Sequence, residues 1–115
     1  MEAQPLSLVE FPADDVERAR TFWEGLLAIE LEARREGEGQ GRQTHSDGTQ
    51  IGIHARGPGP GDTWSLPYFA VSDMEAALAR VSELGGSIIH PGETSAVCRD
   101  SEGTPFGLLV QVAAD

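Results

Sequence analysis

The chain has 115 residues, enough for one ordinary domain or two very small modules sharing a core. It carries 8 Lys+Arg against 19 Asp+Glu, a formal charge of −11, so long-range repulsion opposes both nucleic-acid phosphates and anionic lipid. A single cysteine, Cys98, excludes an internal disulfide framework, and no apolar run approaches the ~20 residues of a membrane helix. The stretch from Met1 to Phe11 has no basic segment followed by an apolar one, so no secretory signal is expected and the reading is of a reduced, cytoplasmic protein. Hydrophobic residues make up 39%, enough for a packed core, while 14 Gly and 7 Pro favour many turns over long helices.

In chain order, Leu6 to Phe11 is a short apolar stretch suited to a strand. A helix follows, with Asp14 as candidate N-cap and Glu17 three residues on, as a capping box requires. Val16, Ala19, Phe22, Trp23, Leu26 and Leu27 recur at helical spacing and predict its apolar face, with Trp23 in the core. Arg34 to Gly41 is polar and glycine-rich and reads as a solvated loop between strands. His45 precedes the turn Ser46-Asp47-Gly48-Thr49 and is expected at the surface, and the strand from Gln50 to His54 follows.

The second half repeats the first. Trp64 to Phe69 matches the opening strand, and Ser72 takes the place of Asp14 as helix cap, with Glu75 three residues on. Met74, Ala77, Leu78, Val81 and Leu84 form the second apolar face, which stops at Gly85-Gly86. His90-Pro91 ends a strand, and Ser101-Glu102-Gly103-Thr104 repeats the hairpin turn. The chain therefore reads as strand–helix–strand–strand–strand, twice: residues 5–56, a linker at 57–63, and residues 64–113.

Three segments in this frame resemble a known family: Asp15 to Trp23, Pro67 to Asp73, and Arg99 to Gly107. They are similar to the vicinal oxygen chelate superfamily, which includes glyoxalase I, the bleomycin-resistance proteins, fosfomycin-resistance enzymes and extradiol dioxygenases. The resemblance spans nearly the whole chain. It implies an α+β fold of two tandem βαβββ modules forming a curved mixed sheet around a cavity, commonly in a homodimer. The family usually has Gly after the first helix; Ala28 stands there, and a positive φ would cost it roughly 1 kcal/mol.

Enzymes of the superfamily hold a divalent metal at four strand positions. Carried over by register, these fall on Leu8, Gly52, Leu66 and Gly107, which offer no donor side chain. The resemblance, with these departures, therefore implies a metal-free protein without a cofactor, and no catalytic residue is assigned. Strand alternation sends Val9, Phe11, Ile51, Ile53, Phe69, Val71, Phe106, Leu108 and Val110 under the helices. It leaves a mixed opposite face that suits a small molecule. The candidate ligand-binding residues are Glu10, Gln50, His54, Trp64, Tyr68, Arg99, Leu109 and Gln111. Cys98 and Arg99 alternate, so only one faces that side; Glu10 would favour a cation there and Arg99 an anion.

The expected function is sequestration of a drug or metabolite, as in the antibiotic-resistance branch, by a homodimer that engages neither nucleic acid nor membrane. The alternatives are a glyoxalase-like lyase or isomerase, or a dioxygenase-related enzyme, with a displaced metal site or with acid–base work by Glu10 and His54. A structural dimer with a collapsed cavity is a third.

Overall fold

The computed structural model describes residues 6–59 and 63–110. Pro5, linker residues 60–62, Gln111 and the module end at Ala113 lie outside the described residues. The described residues within 8–65 form one compact unit; those from Leu66 onward form the other, together with Leu6 and Ser7.

The first unit contains β1 (Leu6–Ala13), α1 (Val16–Leu27), β2 (Glu32–Ala33), β3 (Arg42–Gln43) and β4 (Gln50–Ala55). Its strand order is β2-β3-β4-β1, with β1 parallel to β4 and the other neighbours antiparallel. The second unit contains β5 (Leu66–Val71), α2 (Met74–Glu83), β6 (Ser87–His90), β7 (Ser95–Arg99) and β8 (Pro105–Val110). Its order, β6-β7-β8-β5, with β5 parallel to β8, is the same arrangement. Each module is thus one helix and a four-stranded mixed sheet, the α+β class read from the repeat. The two matched turns also agree: Gly48 and Gly103 sit at φ 85° and 86°, a region that favours glycine.

The helix caps lie one residue later than expected. Asp15 and Asp73, not Asp14 and Ser72, take the extended backbone of an N-cap and accept the free N–H groups of Arg18 and Ala76, each at 3.0 Å. Counted from these caps, Glu17 and Glu75 fall one position short of a capping box. They still place negative charge on the positive end of each helix dipole.

The helix ends differ. After α2, Gly85 takes the left-handed turn at φ 92° and the Gly86 N–H returns to the Val81 carbonyl at 2.9 Å. After α1, Ala28 takes the left-handed conformation itself, at φ 55° and ψ 45°. Ala28→Gly should therefore stabilise the protein by about 1 kcal/mol, read as a higher urea midpoint at unchanged slope. A neutral or lower midpoint would refute strain at this residue.

The second module has the core predicted for it. Val71, Met74, Ala96, Cys98 and Leu108 are buried together, with Phe69, Ala77, Leu78, Val81, Phe106 and Val110 packed around them. Leu84, expected on that face, is exposed. The first helix departs further: none of its residues is buried, and Phe22, Leu26 and Leu27 are all exposed. Trp23 is only half-buried and stacks on Phe11, their ring centroids 4.7 Å apart, so it is a flank of the core rather than part of its centre. Among the described residues no helix is long and apolar enough to cross a membrane.

Candidate functional site

The parallel pairing of β1 and β4 sets Glu10 opposite Gly52 and Pro12 opposite His54. Alternation then puts Glu10, Gly52 and His54 on one face of the sheet. There the Glu10 Oε1 accepts a hydrogen bond from the His54 Nδ1 at 2.8 Å. Its second oxygen, Oε2, accepts from the Arg34 Nη2 at 2.6 Å. Arg34 follows directly on β2 and also donates from Nη1 to the Gln40 carbonyl at 2.8 Å. All three side chains are largely withdrawn from solvent, Glu10 at 6%, Arg34 at 8% and His54 at 13% exposure. Gly52 makes this possible: a Cβ there would run into both the guanidinium and the carboxylate.

The bonding settles one tautomer. A carboxylate only accepts, so the His54 Nδ1 carries the hydrogen. In the neutral ring this leaves Nε2 with its lone pair. That Nε2, and the Nε of Arg34, are buried with no hydrogen-bond partner among the described residues. An orphaned buried polar atom costs about 1–3 kcal/mol, and such costs collect where function requires them. An imidazole oriented by a carboxylate, with a free Nε2, can accept a hydrogen bond from a ligand or take a proton from one.

The second module carries the structural counterpart. Tyr68 pairs with Gly107 across β5 and β8, and its ring fills the space a Cβ at Gly107 would need. Tyr68 thus stands to Gly107 as Glu10 stands to Gly52. The ambiguity at Cys98 and Arg99 is resolved as well. Cys98 is fully buried in the core, where desolvation raises its thiol pKa, so Arg99 lies on the opposite face.

Other candidates stand apart from the Glu10 cluster. The Gln50 side chain accepts from the Thr44 hydroxyl at 2.7 Å and donates to the Gly48 carbonyl at 3.0 Å, so it is committed to its own turn. Trp64 is exposed, at 61%, and Leu109 is half-buried on β8.

Two features escaped the sequence reading. Arg34 lies at the start of the segment read as a solvated loop, yet it is buried in an ion pair. His45, expected at the surface, is only 7% exposed and bridges two carboxylates: Nδ1 to Glu32 Oε1 and Nε2 to Glu38 Oε1, both at 2.7 Å. Both ring nitrogens face carboxylate oxygens, an arrangement that favours the imidazolium form. Glu38 and then Glu32 raise its pKa, against desolvation and the Arg35 charge. Glu38 is pushed upward by desolvation, but the Arg35 backbone N–H and His45 outweigh this and lower it.

The metal implied by the fold does not fit the positions that hold it in relatives. Leu8 and Leu66 are buried hydrocarbons. The space beside Gly52 is filled by Glu10 and Arg34, and that beside Gly107 by Tyr68. None of the four supplies a donor. Among the described residues, no three His, Cys, Asp or Glu side chains are grouped to hold an ion.

Residues 8–109 match a family model described as a glyoxalase-like domain. No curated protein sequence matches the chain. Among solved structures, a hypothetical protein from Bacillus halodurans aligns with TM-score 0.72 at 14% identity, over 99% of each chain. Methylmalonyl-CoA epimerase from Streptomyces coelicolor, in complex with 2-nitronate-propionyl-CoA, aligns with TM-score 0.62 at 15% identity, over 98% of this chain and 99% of that one. A protein described as NAD-dependent benzaldehyde dehydrogenase from Legionella pneumophila aligns with TM-score 0.65 at 17% identity, over 91% and 98%. At these identities the likeness establishes a shared fold and nothing about activity.

Proposed function

The chain belongs to the glyoxalase-like domain family, within the vicinal oxygen chelate superfamily, and from that premise we propose that it binds a small organic molecule at Glu10 and His54 without a metal ion. The observation that carries this reading is the buried Glu10–His54 pair with an unpartnered His54 Nε2, in a module whose strand positions Leu8 and Gly52 supply no further donor. Sequestration of a drug or metabolite needs no chemistry beyond a shaped, partly polar site, and the dyad supplies the polar part. A cytoplasmic homodimer that engages neither nucleic acid nor membrane completes the proposal, and the −11 charge supports its last part.

The same dyad favours one second reading, a metal-free enzyme. A carboxylate-oriented imidazole can remove a proton from a bound carbon acid, with His54 as base and Glu10 as the positioning group.

A thermal-shift screen of antibiotics and metabolites, run beside divalent nickel and zinc, tests binding. A ligand at 100 times its Kd should stabilise the protein by about 2.7 kcal/mol, roughly 10 °C for a chain of this size. His54→Gln should abolish the shift. A shift produced by the metals alone and lost in His54→Gln would overturn the metal-free reading. Exchange of a ligand C–H for solvent deuterium, abolished in His54→Gln, would select the enzyme over the binder.

A further inference from the structure

The Glu10–His54 pair is closed by its own chain. The free nitrogens of His54 and Arg34 are shielded, so a molecule that engages His54 requires a segment to move. The segment that delivers the Arg34 guanidinium is residues 34–41, between β2 and β3. It contains Gly37, Gly39 and Gly41, all at positive φ. Much of its bonding is internal: the Arg35 N–H donates to Glu38 Oε1 at 2.7 Å, the Glu38 N–H to the Arg35 carbonyl at 3.0 Å, and Arg34 to the Gln40 carbonyl. Among the described residues, side-chain ties fasten it to the rest of the module from Arg34 to Glu10 and from Glu38 to His45.

We propose that residues 34–41 are a lid over the Glu10–His54 pair, latched by the His45 imidazolium, and that the molecule the open lid admits is an organic cation that takes the place of Arg34 on Glu10. The proposal rests on the reading of Glu10 and His54 as the binding site. Its ligand class follows from charge. Lifting Arg34 away strands a buried carboxylate, which is costly unless another positive group replaces the guanidinium. An ammonium, amidinium or guanidinium does so, and donates to the same oxygens. The −11 net charge concentrates such cations around the protein.

The latch is set by the groups around His45. Glu32 faces it from β2, Glu38 and Arg35 from the lid, and Asp47 lines the same cleft from the following turn. With the ring pKa raised, the bridge is complete below the ordinary histidine value and is lost as pH rises through the raised value. With Glu38 lowered, its share persists through the ordinary carboxylate range and is lost only as pH falls below it. The lid is therefore tightest between these limits. Above them one ring nitrogen faces a carboxylate without a proton, and the lid loosens.

Hydrogen exchange on the unliganded protein reads the latch directly. Protection of residues 34–41, corrected for intrinsic exchange, should fall about tenfold from mildly acidic to mildly alkaline pH, the equivalent of one charge-assisted hydrogen bond. In His45→Gln it should be low and flat with pH; Glu38→Gln, which keeps the ring, should lose most of the pH dependence. Calorimetry with benzamidine, and with benzoate as its anionic isostere, reads the ligand class. Benzamidine should bind more tightly at alkaline pH and about tenfold more tightly to His45→Gln, and benzoate should not bind. Protection that is flat with pH in the natural sequence, or unchanged in both variants, overturns the latch. Preference for benzoate, or no benzamidine binding, overturns the cation assignment. Shifts in the thermal screen that depend on His54 would leave the binding site itself standing in either case.

Discussion

Arg34→Ala should destabilise the protein by about 3–5 kcal/mol, against a total of roughly 5–15 kcal/mol for a domain of ordinary stability. The substitution leaves the Glu10 carboxylate, at 6% exposure, with the His54 Nδ1–H as its remaining partner. It also opens a space beside Gly52, where no Cβ can fill in. Urea denaturation measures the loss. The control is the double substitution Glu10→Met with Arg34→Met, which removes both charges and should recover most of it. A cost within ~0.5 kcal/mol for Arg34→Ala, the usual range for an exposed loop residue, would show that the ion pair does not hold the lid segment in place.

Leu66→Ala should cost about 2–5 kcal/mol, the penalty for deleting a fully enclosed side chain and leaving a cavity. Leu66 has no exposure, although the resemblance to the superfamily would put a metal-holding position there. A side chain lining an open, hydrated metal cradle could be truncated with little loss. A cost below ~1 kcal/mol would therefore argue that the position borders open space rather than packed hydrocarbon. The two substitutions lie in different modules, so their effects should add in the double variant.

The Glu10 cluster changes the chemistry read from the strands alone. A lone inward carboxylate suggests an anionic anchor for a cation. In the folded chain that anchor is occupied by Arg34, and His54 rather than Glu10 presents the unpartnered atom. Any ligand must either displace the guanidinium or engage the ring beside it.

Modules, helices and turns are legible in the sequence because their causes are local. An apolar period of three to four residues makes a helix, alternation makes a strand, and glycine at a positive φ makes the Gly48 and Gly103 turns. The copying of that pattern along the chain then fixes the topology. Local rules also set the limit of accuracy at the caps. Asp14 and Asp15, like Ser72 and Asp73, are adjacent residues that can both cap, and only the backbone angle decides which one does. Amphipathicity likewise named the apolar stripe of α1 but not its cover, and Phe22 and Leu26 stand exposed.

Arg34 and His45 belong to tertiary structure. Arg34 sits 24 residues from Glu10, and Glu10 sits 44 from His54. Nothing in composition separates Arg34 from Arg35 or Arg42 as the partner of Glu10. The β2–β3–β4 pairing does so, through the register Glu32↔Gln43 and Gln43↔Gly52, which carries the end of β2 towards the space above Gly52. His45 reads as a surface residue because the carboxylates that enclose it lie 7 and 13 residues away in the chain. Buried charges must find partners wherever the fold brings them within reach, and sequence spacing does not encode that distance.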